Sequence, residues 1–145
     1  MNNGEAAAFQ DNSVHGEDCF LIRELGDASS LDIVLDGVTQ CGGEYAARFT
    51  ADILRETPIE SLDELLEALE GAARTLFERG RGRNLLTTVS VALKLGDDLH
   101  VVNVGDSPVY RVRAGEVEEL TTIGRSGLLL TGLIGGVLGL RQKFT

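Results

Sequence analysis

Hydrophobic and polar residues follow two different periods along this chain, and each change of period marks a new kind of element. Residues 19–24 and 31–35 are short, mostly apolar runs separated by a glycine-containing turn, which predicts two strands. Apolar and polar positions alternate from residue 88 to 95, and glycine-containing turns separate four segments between residues 89 and 120. We predict that these four segments pair in sequence as a β-meander.

Between these stretches, apolar residues recur at steps of three and four, which predicts two consecutive helices. The first covers residues 44–55. Its apolar face consists of Ala46, Phe49 and Ile53. The second begins where Ser61 and Glu64 form a capping box. Its apolar stripe consists of Leu62, Leu65, Leu66, Leu69, Ala72, Ala73 and Leu76.

The order of these elements indicates the fold class. Strands, two helices and then hairpin-linked strands favour an antiparallel α+β layer arrangement over alternating βαβ units. The 145 residues, of which 43% are hydrophobic, suffice for one core of ordinary size. We therefore expect a single domain over residues 1–145.

Charge limits the partners of this chain. A formal net charge of −10 argues against a nucleic acid, because phosphate backbones are bound by clustered Lys and Arg. One short basic cluster, Arg-Gly-Arg-Gly-Arg at residues 79–83, is present. We interpret it as a solvated loop, and the alternative is a contact surface for an acidic or phosphorylated partner.

Cysteine usage and hydropathy indicate a cytoplasmic protein. The chain has only Cys19 and Cys41, and it does not open with a charged start followed by an apolar stretch, so we expect neither secretion nor disulfides. Residues 128–140 are apolar but glycine-rich, and they are fewer than the ~20 that a membrane span requires. We predict that this segment is buried in protein and that there is no membrane partner.

Acidic residues stand at three predicted strand ends. Asp36 and Gly37 follow the second strand, Glu17 and Asp18 precede the first, and Asp106 follows a strongly alternating strand. Each carboxylate taken singly has a simpler explanation as a surface residue. Together they predict one divalent-cation site, because carboxylate oxygens are the ligands that hard cations prefer.

Four segments carry a family resemblance. They are residues 16–20 (GEDCF), 33–37 (IVLDG) with 42–47 (GGEYAA), 87–93 (TTVSVAL) and 101–121 (VVNVGDSPVYRVRAGEVEELT). In order and spacing they resemble the metal-dependent protein phosphatases of the PP2C type, and the match runs from Gly16 to Thr121. The resemblance implies an antiparallel β-sandwich flanked by helices. It also implies hydrolysis of phosphoserine and phosphothreonine in a phosphorylated protein substrate, with Mg²⁺ or Mn²⁺ activating a water.

The resemblance also implies roles for individual residues. Asp36 would bridge two ions and act in catalysis, while Glu17 and the Gly37 carbonyl would bind the second ion. Asp18 would hold a water on the metals, and Asp106 would bind a further, weaker ion. Independently of any metal, we expect the Asp106 carboxylate to stabilise its turn by accepting backbone N–H bonds.

Two departures from the family pattern keep other hypotheses open. Ser13 stands where the family has a phosphate-binding Arg, and no Ser-Asp-Gly or Asp-Asn segment follows Leu140. We therefore expect a sandwich that is incomplete at its C-terminal end, with low turnover and self-association as a dimer or larger species. The alternative function is a non-catalytic PP2C-like module that binds phosphoproteins or regulators. A third hypothesis is an unrelated acidic cation-binding protein.

Overall fold

The computed structural model describes residues 4–11, 13 and 16–121, together with the backbone of residues 140–144. Within these residues the chain forms two α-helices and seven β-strands. In chain order they are β1 (Cys19–Gly26), β2 (Ser29–Leu35), α1 (Gly43–Glu56), α2 (Leu62–Gly80), β3 (Val89–Leu95), β4 (Asp98–Val104), β5 (Tyr110–Arg113), β6 (Glu116–Glu119) and β7 (Leu140–Phe144). The predicted α+β class with antiparallel strands is confirmed.

Five strands form one antiparallel sheet in the order β1-β2-β3-β4-β7. Strands β2 and β3 are neighbours in it although both helices lie between them in the sequence. In their register Leu31 is opposite Leu93 and Ile33 is opposite Val91. Because side chains opposite one another share a face, these pairs give the sheet a continuous apolar face.

The hydrophobic core lies between this face and the two helices. Leu31, Ile33 and Leu35 of β2 are at most 2% exposed. The other strands and α2 contribute Leu21, Val89, Val91, Leu93, Val102, Val104, Leu65, Leu69, Ala73 and Leu76. Burying a Val, Leu or Ile side chain stabilises a fold by roughly 1.5–3 kcal/mol, so this core fixes the strand ends at which the acidic turns begin.

The buried face of α1 differs from the predicted one. It consists of Gly43, Ala46, Ala47, Thr50, Ala51 and Leu54. Of the predicted residues, Ala46 is fully buried, whereas Phe49 and Ile53 are half-buried at the margin of this face, and Phe49 packs against the core from there. The ring of Phe49 also stacks on Tyr45 with centroids 6.0 Å apart. The small side chains at the centre of the face fit a tightly packed core.

The apolar stripe predicted for α2 is confirmed. Leu65, Leu69 and Leu76 are fully buried, and Ser61 caps the helix because its hydroxyl accepts the Glu64 N–H at 3.2 Å. The Glu64 carboxylate in turn accepts the Glu60 N–H at 2.6 Å.

The predicted β-meander is confirmed for the β3–β4 and β5–β6 pairs and is wrong at the step from β4 to β5. Strands β5 and β6 pair with each other in a separate two-stranded sheet, and β7 takes the place beside β4. The chain leaves the sheet at Gly105, whose φ of 108° is one that residues with side chains rarely adopt. The Ser107 carbonyl that follows is held by Asn103 at 2.6 Å, which prevents β5 from continuing the hairpin series.

The second face of the five-stranded sheet is partly exposed. Phe20, Ile22 and Val34 project from it with 38%, 44% and 52% of their surface exposed. The predicted burial of residues 128–140 concerns residues that, up to 139, lie outside the described part of the chain. In the described part, neither helix combines the length and the apolar content needed to cross a membrane.

Candidate metal centre

Asp36 stands one residue past the end of β2 and is held there through its backbone. Its N–H donates to the Thr88 hydroxyl at 3.1 Å, and its carbonyl accepts the Thr88 N–H at 2.8 Å. Because the neighbouring Leu35 is fully buried in the core, the alternation of the strand turns Asp36 away from it. The side chain is exposed to solvent, as a cation ligand must be.

Gly37 brings two other segments against Asp36. A Cβ atom added at Gly37 would lie 2.4 Å from the Gly43 carbonyl oxygen and 2.5 Å from that of Glu17. Side chains do not tolerate such distances, so only glycine fits. The start of α1 and the residue before Asp18 therefore meet at the Asp36–Gly37 turn.

Glu17 and Asp18 lie in the segment that precedes β1, outside the strand itself. The Asp18 carbonyl accepts a hydrogen bond from the Gln10 side chain at 2.6 Å. Since neither residue is in extended strand pairing, their side chains are not forced to opposite faces of a sheet. The Asp18 carboxyl shares a hydrogen bond with that of Asp36.

Asp106 belongs to the corner after β4, and Ser107 holds that corner. The Ser107 carbonyl accepts from the Ser90 hydroxyl and from the Asn103 amide, both at 2.6 Å. Its hydroxyl lies 3.2 Å from the hydroxyl of Thr88. In the described part of the chain these bonds, and not the Asp106 carboxylate, fix the turn. The structural role expected for Asp106 therefore falls to its neighbour.

The acidic groups act on one another electrostatically at Asp36. The pKa of Asp36 is raised to about 6, first by partial loss of hydration and then by the hydrogen bond to Asp18 and the charges of Asp18, Asp106 and Glu17. All four predicted carboxylates thus contribute to one local field. Such a field favours either a proton or a cation at Asp36.

Comparisons with solved structures place this arrangement in a known fold. The chain superimposes with a TM-score of 0.71 on a serine/threonine phosphatase of S. agalactiae, with 21% identity over 92% of this chain and 70% of that one. It resembles Stp1 of Staphylococcus aureus with a TM-score of 0.68 and 24% identity, over 79% of this chain and 52% of that one. The chain also superimposes on the catalytic domain of PstP, which was solved in complex with two manganese ions. The TM-score is 0.71 and the identity is 19%, over 90% of this chain and 66% of that one. The fold is that of the PP2C-type serine/threonine phosphatases.

The chain spans 70%, 52% and 66% of those three structures, so it corresponds to part of a PP2C domain. No protein-family model matches it, and no curated protein matches it by sequence. The PP2C fold therefore rests on the shape of the chain and on the short segments noted above.

The donor set of this PP2C-like centre suits a hard divalent cation in chemistry and charge. Carboxylates and a backbone carbonyl are the ligands that Mg²⁺ and Mn²⁺ prefer. In the described part of the chain, however, no three His, Cys, Asp or Glu side chains are grouped closely enough to hold a metal ion. The predicted set for one ion needs only the Glu17 and Asp36 carboxylates with the Gly37 carbonyl.

Sequence reasoning missed the polar residues behind this centre. Thr88, Ser90 and Asn103 connect Asp36 to the Ser107 corner through the hydrogen bonds given above. A signal was present, because Thr88 and Ser90 alternate with the apolar residues of β3 and Asn103 is opposite Ser90 in the register. Three buried polar residues on one face of adjacent strands indicate a network that supports a site.

Proposed function

We propose that this chain is a PP2C-like protein serine/threonine phosphatase domain, or part of one, that hydrolyses phosphoserine and phosphothreonine with a metal-activated water. One observation carries the proposal: within a PP2C fold, Gly37 brings Glu17 against the Asp36 turn, and partial loss of hydration together with the Asp18, Asp106 and Glu17 carboxylates raises the pKa of Asp36. The manganese ions of the PstP neighbour support Mn²⁺ or Mg²⁺ as the cation.

The proposed roles of the residues are those that the PP2C resemblance implies. Asp36, Glu17 and the Gly37 carbonyl would hold the cation, which when bound lowers the pKa of a water and neutralises charge on the phosphoryl group. Asp18, hydrogen-bonded to Asp36, would accept a proton from that water and orient it. Asp106 adds negative charge at the outer side and would bind a further cation weakly.

A second candidate is a non-catalytic module that binds phosphoproteins or regulators. Ser13 favours it, because the resemblance implies a phosphate-binding Arg at that position. The Ser13 N–H donates to the Asp11 carboxylate at 2.9 Å, and the side chain is too short to reach a phosphate as an Arg does. Cys19 and Cys41 are free thiols, which supports the predicted cytoplasmic location for either candidate.

Hydrolysis of a phosphothreonine peptide, with and without Mn²⁺, distinguishes the two candidates. A phosphatase should release phosphate in proportion to added Mn²⁺ and lose that release in Asp36→Asn. Turnover is expected to be low. The resemblance implies two ions, the residues named above would hold one of them, and a centre without its second ion forfeits several kcal/mol of barrier lowering. Binding of the peptide with no phosphate release at any Mn²⁺ concentration would support the module instead.

A further inference from the structure

A cleft of about 620 Å³ lies beside the candidate metal centre. Glu17 and Gly43 line one side of it, and Tyr45, Phe49 and Arg79 line another. Glu17 is a proposed cation ligand and Gly43 contacts Gly37, so a substrate held at the centre would extend into this cleft.

Arg79 is positioned in the cleft by aromatic residues. Its guanidinium donates to the Tyr45 hydroxyl at 2.6 Å and lies 4.8 Å above the centre of the Phe49 ring. Tyr45 and Phe49 are themselves stacked at an interplanar angle of 12°. A guanidinium held in this way is fixed in direction and keeps further N–H donors for an acceptor.

Three other charged side chains of the cleft, Glu44, Arg48 and Asp52, take part in ion pairs. Glu44 pairs with Arg48 at 3.2 Å, and Asp52 pairs with Arg55. In the described residues no carboxylate lies within ion-pair distance of Arg79. The cleft therefore offers one ordered cation whose charge is not neutralised by the protein.

From this geometry we propose that Arg79 forms a subsite for a second anionic group of the substrate, a carboxylate or a phosphate near the phosphorylated residue. The proposal rests on the proposed function for the position of the scissile phosphate. An Arg guanidinium binds either anion in a bidentate manner, so both sources share one recognition chemistry. The arginines at 81 and 83 follow in the turn that closes α2 and add positive charge to the same end of the helix.

Fluorescence anisotropy with three labelled phosphothreonine peptides tests this subsite. The flanking positions carry glutamates in the first, a second phosphothreonine in the second and glutamines in the third. In all three peptides a non-hydrolysable phosphonate replaces each phosphate, and binding is measured on the wild-type chain with Mn²⁺. This keeps the proposed cation site and excludes turnover, so the result does not depend on whether the chain hydrolyses phosphate. We expect the two anionic peptides to bind about fivefold more tightly than the neutral one, because one partly exposed ion pair contributes roughly that much affinity. The stronger of the two identifies the preferred anion.

Two matched variants separate the subsite from general electrostatics. Arg79→Met keeps an aliphatic chain over Phe49 and should abolish the preference. Arg74→Met removes an exposed arginine from the same helix outside the cleft and should preserve it. Thermal melts of both variants check that the fold is intact. Equal affinity for all three peptides, no measurable binding of any, or a preference that survives in folded Arg79→Met would overturn the proposal.

Discussion

At the scale of single residues, Asp36 determines what the candidate centre can do. Its carboxyl is hydrogen-bonded to that of Asp18 and lies in the field of Glu17 and Asp106, so its charged form is disfavoured without a cation. Two carboxylates about 4 Å apart repel by about 4 kcal/mol at an effective dielectric of 20. The negative charge that lowers stability through this repulsion also attracts a divalent cation.

The pKa of Asp36 predicts how stability depends on pH. Its folded-state pKa of about 6 exceeds the ordinary value of 3.8, so the folded state binds this proton more tightly than the unfolded state. The resulting stabilisation is complete below about pH 4 and is lost as the pH rises through 6. With chelator present, Asp36→Asn should melt above wild type at pH 7.5, and the gap should close near pH 4. A gap that is constant with pH would contradict this.

Gly37 and Gly71 give opposite predictions for the same substitution. Gly37→Ala would place a Cβ 2.4 Å from the Gly43 carbonyl and should cost several kcal/mol. Gly71 lies inside α2 with nothing within 4 Å of an added Cβ, so Gly71→Ala should stabilise by about 1 kcal/mol. Urea denaturation of both variants measures the two effects. Equal effects of the two substitutions would show that the close contact at Gly37 is not rigid.

The positions of the acidic residues could be predicted from the sequence, but what supports them could not. Asp36 and Asp106 follow alternating strands, and alternation is a local signal. The contact of Gly37 with Gly43 and Glu17, and the bonds of Ser107 to Ser90 and Asn103, depend on pairing between distant strands. A two-residue period shows on which face of a sheet a residue lies. It does not show which residue of another strand or loop it contacts.

At the scale of elements, β3 links the two acidic turns. Thr88, the residue before β3, bonds the Asp36 backbone with its N–H and hydroxyl, and the same hydroxyl lies 3.2 Å from that of Ser107. The spacing between the ends of β2 and β4 is therefore set by one side chain. Neither helix period nor strand alternation identifies such a link.

Thr88→Val tests this link, because valine keeps the shape and removes the hydroxyl. Loss of the hydroxyl leaves the partly buried Asp36 N–H without its acceptor and should cost about 1 kcal/mol or more of unfolding free energy. Thr88→Ser keeps the hydroxyl and should lose less, at most about 1 kcal/mol, from the missing methyl group. Denaturation curves compare the two. A valine variant as stable as the serine variant would mean that the hydrogen bonds contribute little.

Sequence patterns predicted an element correctly where a regular apolar repeat coincided with a capping residue, as in α2, which begins after Ser61. The prediction was incomplete for α1, where Phe49 and Ile53 lie at the margin of the buried face. It failed at the step from β4 to β5, where the Ser107 carbonyl is bonded to Ser90 and Asn103. Both outcomes depend on tertiary packing, which local patterns do not encode.

At the scale of the whole molecule, the outer face of the sheet bears on association. Phe20, Ile22 and Val34 are exposed on it, and one buried carboxylate oxygen of Asp32 has no hydrogen-bond partner in the described residues. Burial raises the pKa of Asp32 in the same region. Covering this face would remove apolar surface from water, which favours the self-association predicted from the sequence.

Light scattering at high micromolar concentration tests that prediction. Wild type should be a dimer or larger, and Ile22→Lys should shift it toward the monomer because a charge cannot be buried cheaply in an apolar interface. Phe77→Lys, at an exposed apolar residue of α2, is the matched control and should not change the mass. A wild-type chain that stays monomeric would contradict the prediction.

Calorimetric titration with Mn²⁺ tests the central claim most directly, because it measures the cation site without requiring turnover. Wild type should release or absorb heat with weak, saturable binding, and Glu17→Gln should weaken that binding. Asp36→Asn should abolish it, since Asp36 is the proposed central ligand and the charges of the other carboxylates act on it. Equal heats for wild type and Asp36→Asn would contradict a cation site centred on Asp36.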